Sequence, residues 1–289
     1  MPLFSIQSQL ILSKKNILLI LVYYVFMKNL TFYKYQGTGN DFIMIDNRGS
    51  NLQETLTEKD IAKLCDRRFG IGADGLILLT EKEGYDFQMI YYNSDGRESS
   101  MCGNGGRCIT AFAKQMGIEK EKYHFLAIDG DHEAQILDNQ SVKLKMGKPH
   151  SFRMIDTNEM WIHTGSPHYV QLCEEKVEDL NVYEMGKAIR YNAEFKAEGT
   201  NVNFVNILEK GKLKVRTYER GVEAETLSCG TGVSACAYCY IIWNNSVKSV
   251  DISTLGGDLC VEVEHFQQEN EAVYLIGAAT FVFEGEILI

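Results

Sequence analysis

Proline is almost missing from this chain, at 3 residues in 289, and no low-complexity tract interrupts it. That excludes a Pro-rich stalk, a collagen-like repeat and a disordered polymer. Positive charge is in short supply as well. Lys and Arg number 29 against 39 Asp and Glu, a net charge of −10, and the basic residues form no cluster. Nucleic acid is therefore not an expected partner, because phosphate binding needs a basic footprint. Eight cysteines are too sparse for a disulfide scaffold. They point to free thiols in a reducing compartment, so a cytoplasmic location is expected.

Hydrophobic runs of membrane-spanning length are lacking too. Residues 17–26 read ILLILVYYVF, preceded by Lys14 and Lys15. This resembles the basic and apolar regions of a secretory signal, but Met27, Lys28 and Asn29 follow in place of a small-residue cleavage site. A spanning helix needs roughly 20 apolar residues, so no stable membrane insertion is expected. The preferred reading is that 1–26 is an upstream extension outside the fold; a membrane-associating segment is the alternative.

The remainder has the composition of a globular enzyme, 45% hydrophobic and 24% charged. At about 150 residues per domain, two domains are expected, each able to bury its own core. Alternation predicts strands at 30–36, 42–46, 76–79 and 87–92. A helix is predicted over 57–68, with Thr57 as N-cap and Asp60 at its third position. A turn follows at Asn93-Ser94-Asp95-Gly96, then a helix from Cys102 to Met116 ending at Gly117. Strands are expected at 124–128, 133–137 and 142–146. The second half has the same grammar: helices at 181–190 and 230–243, and strands at 201–208, 213–218, 259–264, 273–276 and 280–283. The fold class read from this is α+β with two similar halves.

One short motif occurs twice. Cys102-Gly103-Asn104-Gly105 and Cys229-Gly230-Thr231-Gly232 are both Cys-Gly-polar-Gly, and each opens a predicted helix. Their offset is 229 − 102 = 127 residues, close to half of the chain beyond Met27. A cysteine at a helix N-terminus is expected to have a lowered thiol pKa. The glycines let a ligand approach the unpaired backbone N–H groups. Two such starts facing each other would flank one carbon with two thiols, an arrangement for removing a proton from one face and delivering it to the other. That is a two-base racemase or epimerase. The bland alternative, a buried small residue at each helix start, accounts poorly for two matched glycine contexts.

Other chemistry finds little support. Cys236 and Cys239 form a C-x-x-C inside a helix with no second pair, so a zinc site is not expected. Cys65, Cys108, Cys173 and Cys260 read as packing residues. No phosphate-binding loop or dinucleotide fingerprint is present, and no lysine stands out for a Schiff base. No cofactor and no metal are expected.

The segments KYQGTGNDF (34–42), GIGADG (70–75), NSDG (93–96), MCGNG (101–105), GSPH (165–168), GTNVNF (199–204), YERG (218–221) and ETLSCGTG (225–232) together resemble the diaminopimelate epimerase family. The resemblance runs from about Met27 to the C-terminus. It implies two pseudo-symmetric domains, each a mainly antiparallel sheet wrapped around a central helix, with the site in the cleft between them. The implied division is 27–147, 148–276, and a C-terminal strand in 277–289 that returns to the first domain. The implied activity is cofactor-independent interconversion of LL- and meso-diaminopimelate, in lysine and cell-wall precursor synthesis. Cys102 and Cys229 are then acid and base. His168 and Glu219 match the family's supporting pair. Asn40, Asn93, Asn201 and Arg220 match positions that hold the substrate's polar ends, and Gly103, Asn104, Gly230 and Thr231 match the donors around its α-carboxylate. Ser166 and Gly75 depart from the family pattern, where Asn and Gln are found in many or some members. The loop 221–225 is longer than in some. A homodimer is the expected assembly. A proline or hydroxyproline racemase of similar fold is the alternative activity, and a scaffold that has lost catalysis is the alternative from another class.

Overall fold

In the first half, residues 87–93 and 122–127 alternate buried side chains with more exposed ones, as strands covered on one face do. The computed structural model describes residues 29–244 and 247–288. The segment 1–26, read above as an extension, lies outside the described residues. The first half runs β1 (Asn29–Gly37), β2 (Asn40–Asp46), α1 (Leu52–Thr55), α2 (Glu58–Cys65), β3 (Gly75–Thr80), β4 (Phe87–Asn93), β5 (Glu98–Ser99), α3 (Gly103–Gln115), β6 (Lys122–Ala127), β7 (Gly130–Ile136) and β8 (Val142–Met146). The second runs β9 (Ser151–Asp156), β10 (Glu159–His163), β11 (Pro167–Leu172), α4 (Val182–Arg190), β12 (Asn201–Glu209), β13 (Lys212–Glu219), β14 (Ala224–Thr226), α5 (Gly230–Asn244), β15 (Ser249–Thr254), β16 (Gly257–Glu264) and β17 (Ala272–Gly277). The last strand, β18 (Thr280–Leu288), pairs antiparallel with β1.

The pairings make the repeat explicit. Across the first half the order is β18-β1-β2-β3-β4-β6-β7-β8. Across the second it is β9-β10-β11-β12-β13-β15-β16-β17. Each half has two parallel pairs at matching places, β2 with β3 and β4 with β6, then β11 with β12 and β13 with β15. The rest is antiparallel. β8 and β17 join the halves edge to edge, with Leu144 opposite Leu275.

Each half wraps its sheet around one helix. Ile109, Phe112 and Cys108 of α3 pack against Phe42, Ile77, Phe87, Phe125 and Leu144. Val233, Cys236, Ala237 and Tyr240 of α5 pack against Ile162, Val170, Val215, Val261 and Leu275. α5 is apolar around its circumference because sheet surrounds it, which is why its sequence, GTGVSACAYCYIIWN, shows no polar face. A second layer covers part of each sheet's outside. α2 lies over β3, and α4 lies over β12 and β13. β3 is therefore buried along its whole length and reads as an uninterrupted GLILLT.

α2 is shorter than predicted. Thr57 caps it with a reciprocal capping box to Asp60, as expected, but it stops at Cys65. Asp66 then takes the Arg68 and Phe69 N–H groups on its carboxylate at 2.7 Å each, turning the chain out of the helix. Ser151–Asp156, Glu159–His163, Pro167–Leu172 and Ser249–Thr254, with the short Glu98–Ser99 and Ala224–Thr226, are strands that the pattern did not single out. β9 is mostly exposed and does not alternate.

Candidate active site

Two helix starts meet at the seam between the halves. Cys102 is the N-cap of α3 in an extended conformation, φ −105° and ψ 149°, and its Sγ accepts the Gly105 N–H at 3.2 Å. Cys229 stands before α5 in the same way. Its carbonyl accepts the Val233 N–H at 2.9 Å, and its Sγ lies 3.5 Å from Thr231 Oγ1. Glycines make the close approach where the helices touch. A Cβ on Gly230 would sit 3.2 Å from the Gly103 Cα, and one on Gly103 would sit 2.7 Å from Leu275 Cδ2.

Both thiols open on one cleft of ≈ 1510 Å³. That exceeds the roughly 300–1,000 Å³ of a small-molecule pocket, so the cleft is open and would have to narrow around a ligand. Asn40, Asn93, Cys102, Gly103 and Asn104 line it from the first half. Ser166, Asn201, Glu219, Arg220, Cys229, Gly230 and Thr231 line it from the second. Asn104 bridges the seam: its Nδ2 donates to Asn40 Oδ1 at 3.3 Å and to the Ser228 carbonyl at 3.4 Å. Asn40 in turn donates to Asp74 at 2.7 Å. Asn201 donates to Ser166 Oγ at 2.8 Å and accepts the Arg220 N–H at 2.8 Å. Ser166 thus keeps its hydroxyl proton free to point into the cleft.

His168 is placed differently from the other predicted site residues. It is fully buried and does not line the cleft wall. Thr217 donates to Asn203 Oδ1 at 3.0 Å, which turns Asn203 Nδ2 toward the Tyr169 carbonyl at 2.9 Å and His168 Nδ1 at 3.2 Å. Nδ1 is then an acceptor, and the imidazole proton resides on Nε2, 3.0 Å from Thr231 Oγ1. The Thr231 hydroxyl is left to donate to Cys229. His168 therefore reaches Cys229 through Thr231.

The electrostatics reverse one expectation. Burial pushes the Cys102 thiol up to about 11, against the Gly105 N–H and the Arg107 charge, which both favour the thiolate. Burial also pushes Cys229 up to about 12, with the Glu219 carboxylate adding to the effect. The helix N-termini do not lower either thiol below its ordinary value, because desolvation of a buried anion outweighs one or two N–H donors. Burial raises the Glu219 carboxyl as well.

Burial holds His168 down at about 3, so it is neutral. The unfolded chain gains a His proton below about pH 6.5 that the folded chain refuses, so this contribution to stability is lost as pH falls from 6.5 toward 3. The unfolding constant is expected to rise about tenfold per pH unit from this group. Glu219 acts in the opposite sense, since its folded form binds a proton first. Denaturant titrations at pH 7 and pH 5 should show a smaller pH effect in H168Q than in the parent; equal slopes would contradict the buried neutral imidazole.

The model for diaminopimelate epimerase matches residues 32–152 and 160–282. The diaminopimelate epimerase of Flavobacterium psychrophilum is 48% identical over 259 residues, covering 88% of this chain and 99% of that one. The enzyme of Aquifex aeolicus is 40% identical over 273 residues, covering 89% and 97%. The chain belongs to the diaminopimelate epimerase family. Among solved structures, a Bacillus anthracis phenazine biosynthesis protein of the PhzF family superposes with a TM-score of 0.72 at 15% identity, covering 91% of this chain and all of that one (100%). A hydroxyproline epimerase from Agrobacterium vitis superposes at 0.60 and 16%, covering 91% and 92%. These two likenesses show the fold alone, and it is the two-domain repeated fold of the diaminopimelate epimerases.

Several residues of this diaminopimelate epimerase family member escaped the sequence reading. Arg67, Asp74 and Tyr91 all line the cleft. Arg67 clamps Asp41 and Asp74, and Asp74 orients Asn40. Tyr91 packs where Gly75 leaves room, since a Cβ there would come 2.6 Å from Tyr91 Cε2. Asn203 holds His168. Its signal was present: Asn201 and Asn203 alternate with Val202 and Phe204 in β12, so two amides share one face of the strand's buried first half.

Proposed function

We propose that the chain interconverts LL- and meso-diaminopimelate by a cofactor-independent, two-thiol mechanism. The observation that carries this is the meeting of two Cys-Gly helix starts in one cleft, in a member of the diaminopimelate epimerase family. The substrate α-carboxylate sits against the first-turn N–H groups at Gly103, Asn104, Gly230 and Thr231. These donors stabilise the carbanion that forms; removing one such donor typically costs roughly 10²–10³ in rate. One cysteine, as thiolate, takes the α-proton. The other, as thiol, delivers a proton to the opposite face. The configuration inverts, and the two sulfurs exchange protonation states.

In the free cleft both thiols are pushed up, so a thiolate is costly there. The substrate's α-ammonium, entering between them, supplies the positive charge that offsets this cost. His168 acts through Thr231 on Cys229, and Glu219 lines the cleft on the same side. Asn40, Asn93, Asn201 and Arg220 hold the distal ammonium and carboxylate. A proline substrate has no such group, and these residues would be surplus for it. Incubation with LL-diaminopimelate in chelator-treated buffer should yield the meso isomer by chiral chromatography, with L-proline unchanged. Racemised proline with diaminopimelate unchanged would overturn the reading.

We further place the domain division at 27–147 and 148–276, with 277–289 returning to the first domain; the pairing of β18 with β1 supports the last part. Eight unpaired cysteines support a reducing, cytoplasmic location. No described helix is long and apolar enough to cross a membrane. A homodimer is supported by β18, which leaves Phe281, Val282 and Phe283 exposed on one strand. F283E should convert a dimer to a monomer in sedimentation velocity; a parent that sediments as a monomer would contradict this.

A further inference from the structure

Arg107 lies on the first turns of α3, five residues after Cys102, and its side chain is wholly sealed from solvent. Its guanidinium donates to the Gly103 carbonyl at 3.1 Å, Asn104 Oδ1 at 3.0 Å, Thr38 Oγ1 at 3.3 Å and the Ala278 carbonyl at 3.3 Å. All four acceptors are neutral. Among the described residues no carboxylate pairs with it. An arginine does not shed its proton in a protein, so a full positive charge is buried here without a counter-charge. Burying such a charge is expensive, and packing alone would be served better by an apolar side chain.

The position of the charge suggests what offsets the cost. The guanidinium stands directly behind the turn that presents Cys102, Gly103 and Asn104 to the cleft. Under the two-thiol reading, two negative charges gather at the front of that turn during turnover: the Cys102 thiolate and the substrate α-carboxylate. We propose that Arg107 is a positioning residue whose unpaired charge favours the Cys102 thiolate and whose bonds to the Gly103 carbonyl and Asn104 Oδ1 fix the turn that offers its backbone N–H groups to the α-carboxylate. The other groups acting on Cys102 pull unevenly. From its own helix come Arg107 and Cys108. Glu219 of β13 opposes the thiolate. Tyr91 of β4 and Cys229 at the facing helix are neutral partners that feel Cys102. Asp129 holds the Met101 N–H at 3.2 Å, just before the helix. Arg107 is the one cation in this set.

The test reads the thiol rather than turnover, so it is separable from the two-thiol reading itself. Iodoacetamide alkylation of Cys102 and Cys229 is followed peptide by peptide by mass spectrometry from pH 6 to 10, in the parent, R107M and R107K. In R107M, Cys102 alkylation at each fixed pH should slow about tenfold, the effect of raising its thiol by about one unit. Cys229 should move less, and R107K, which keeps the charge, should stay near the parent. A structural role alone would loosen the seam and speed alkylation of both thiols. R107M with the parent's Cys102 profile, or R107K shifted as far as R107M, overturns the proposal. If R107M does not fold, R107K decides: a parent-like Cys102 profile with a raised KM for diaminopimelate supports the proposal, and a slowed one refutes it.

Discussion

Replacing either Cys102 or Cys229 by alanine is expected to lower epimerisation by at least about 10³-fold while the protein stays folded. General acid or base catalysis by one positioned group is worth roughly 10²–10⁴, and each sulfur serves a face of the α-carbon that the other cannot reach. The folding cost is small by comparison. Cys102 loses its cap on the Gly105 N–H, which is worth about 1 kcal/mol. C102S separates the two effects, because a hydroxyl can cap the helix but is a far weaker base than a thiolate. C102S should therefore melt like the parent and still turn over poorly. Near-parent turnover in either alanine variant would show that the two-thiol assignment is wrong.

Mild oxidation should abolish activity completely and reversibly. The two helix starts touch at Gly103 and Gly230, so both thiols open on one cleft, and its closure should bring them within disulfide range, a Cα separation of about 7 Å or less. Diamide would take up two electrons, the two thiol protons would go to the reduced diamide, and Cys102 would be joined to Cys229. Cys65, Cys108, Cys173, Cys236, Cys239 and Cys260 do not line the cleft, and of these Cys65, Cys108, Cys236 and Cys239 are buried in the cores. Since burial pushes both reactive thiols up to about 11 and about 12, the reaction should be slow at pH 7 and speed up as pH rises. Peptide mapping should find the Cys102–Cys229 link, and a thiol reductant should restore turnover. A fully oxidised sample that keeps full activity would contradict the facing-thiol geometry.

Much of the fold was legible because its local signals agree with its packing. Thr57 with Asp60 announced a capping box, and Gly117 announced the end of α3 with a φ of +85°. The doubled Cys-Gly-polar-Gly motif announced both central helices and, through them, the repeat. What was not legible depends on contacts between distant segments. β9 is strand because β10 pairs with it, not because its side chains alternate. The last predicted turn of α2 is lost to the Asp66 carboxylate, which competes for the N–H groups that follow it. The two thiols are pushed up by burial at a seam 127 residues apart in sequence, and no local pattern reports that desolvation. His168 stands in a segment matched to the family, yet its seat behind Thr231 needs Asn203 and Thr217 from two other strands. Nothing local marks Arg107, because its neutral surroundings include Thr38 and Ala278, both far away in sequence.

The central claim is that one sulfur removes the α-proton and the other returns a different one. Solvent deuterium labelling tests it most directly. LL-diaminopimelate is incubated with the enzyme in D₂O, and the meso product is analysed at early conversion by mass spectrometry and proton NMR. The account predicts one deuterium in each meso molecule formed, at the inverted α-carbon, and little deuterium in the unconverted LL isomer. Meso product without deuterium, or LL isomer that gains deuterium as fast as it inverts, would contradict two separate thiols on opposite faces.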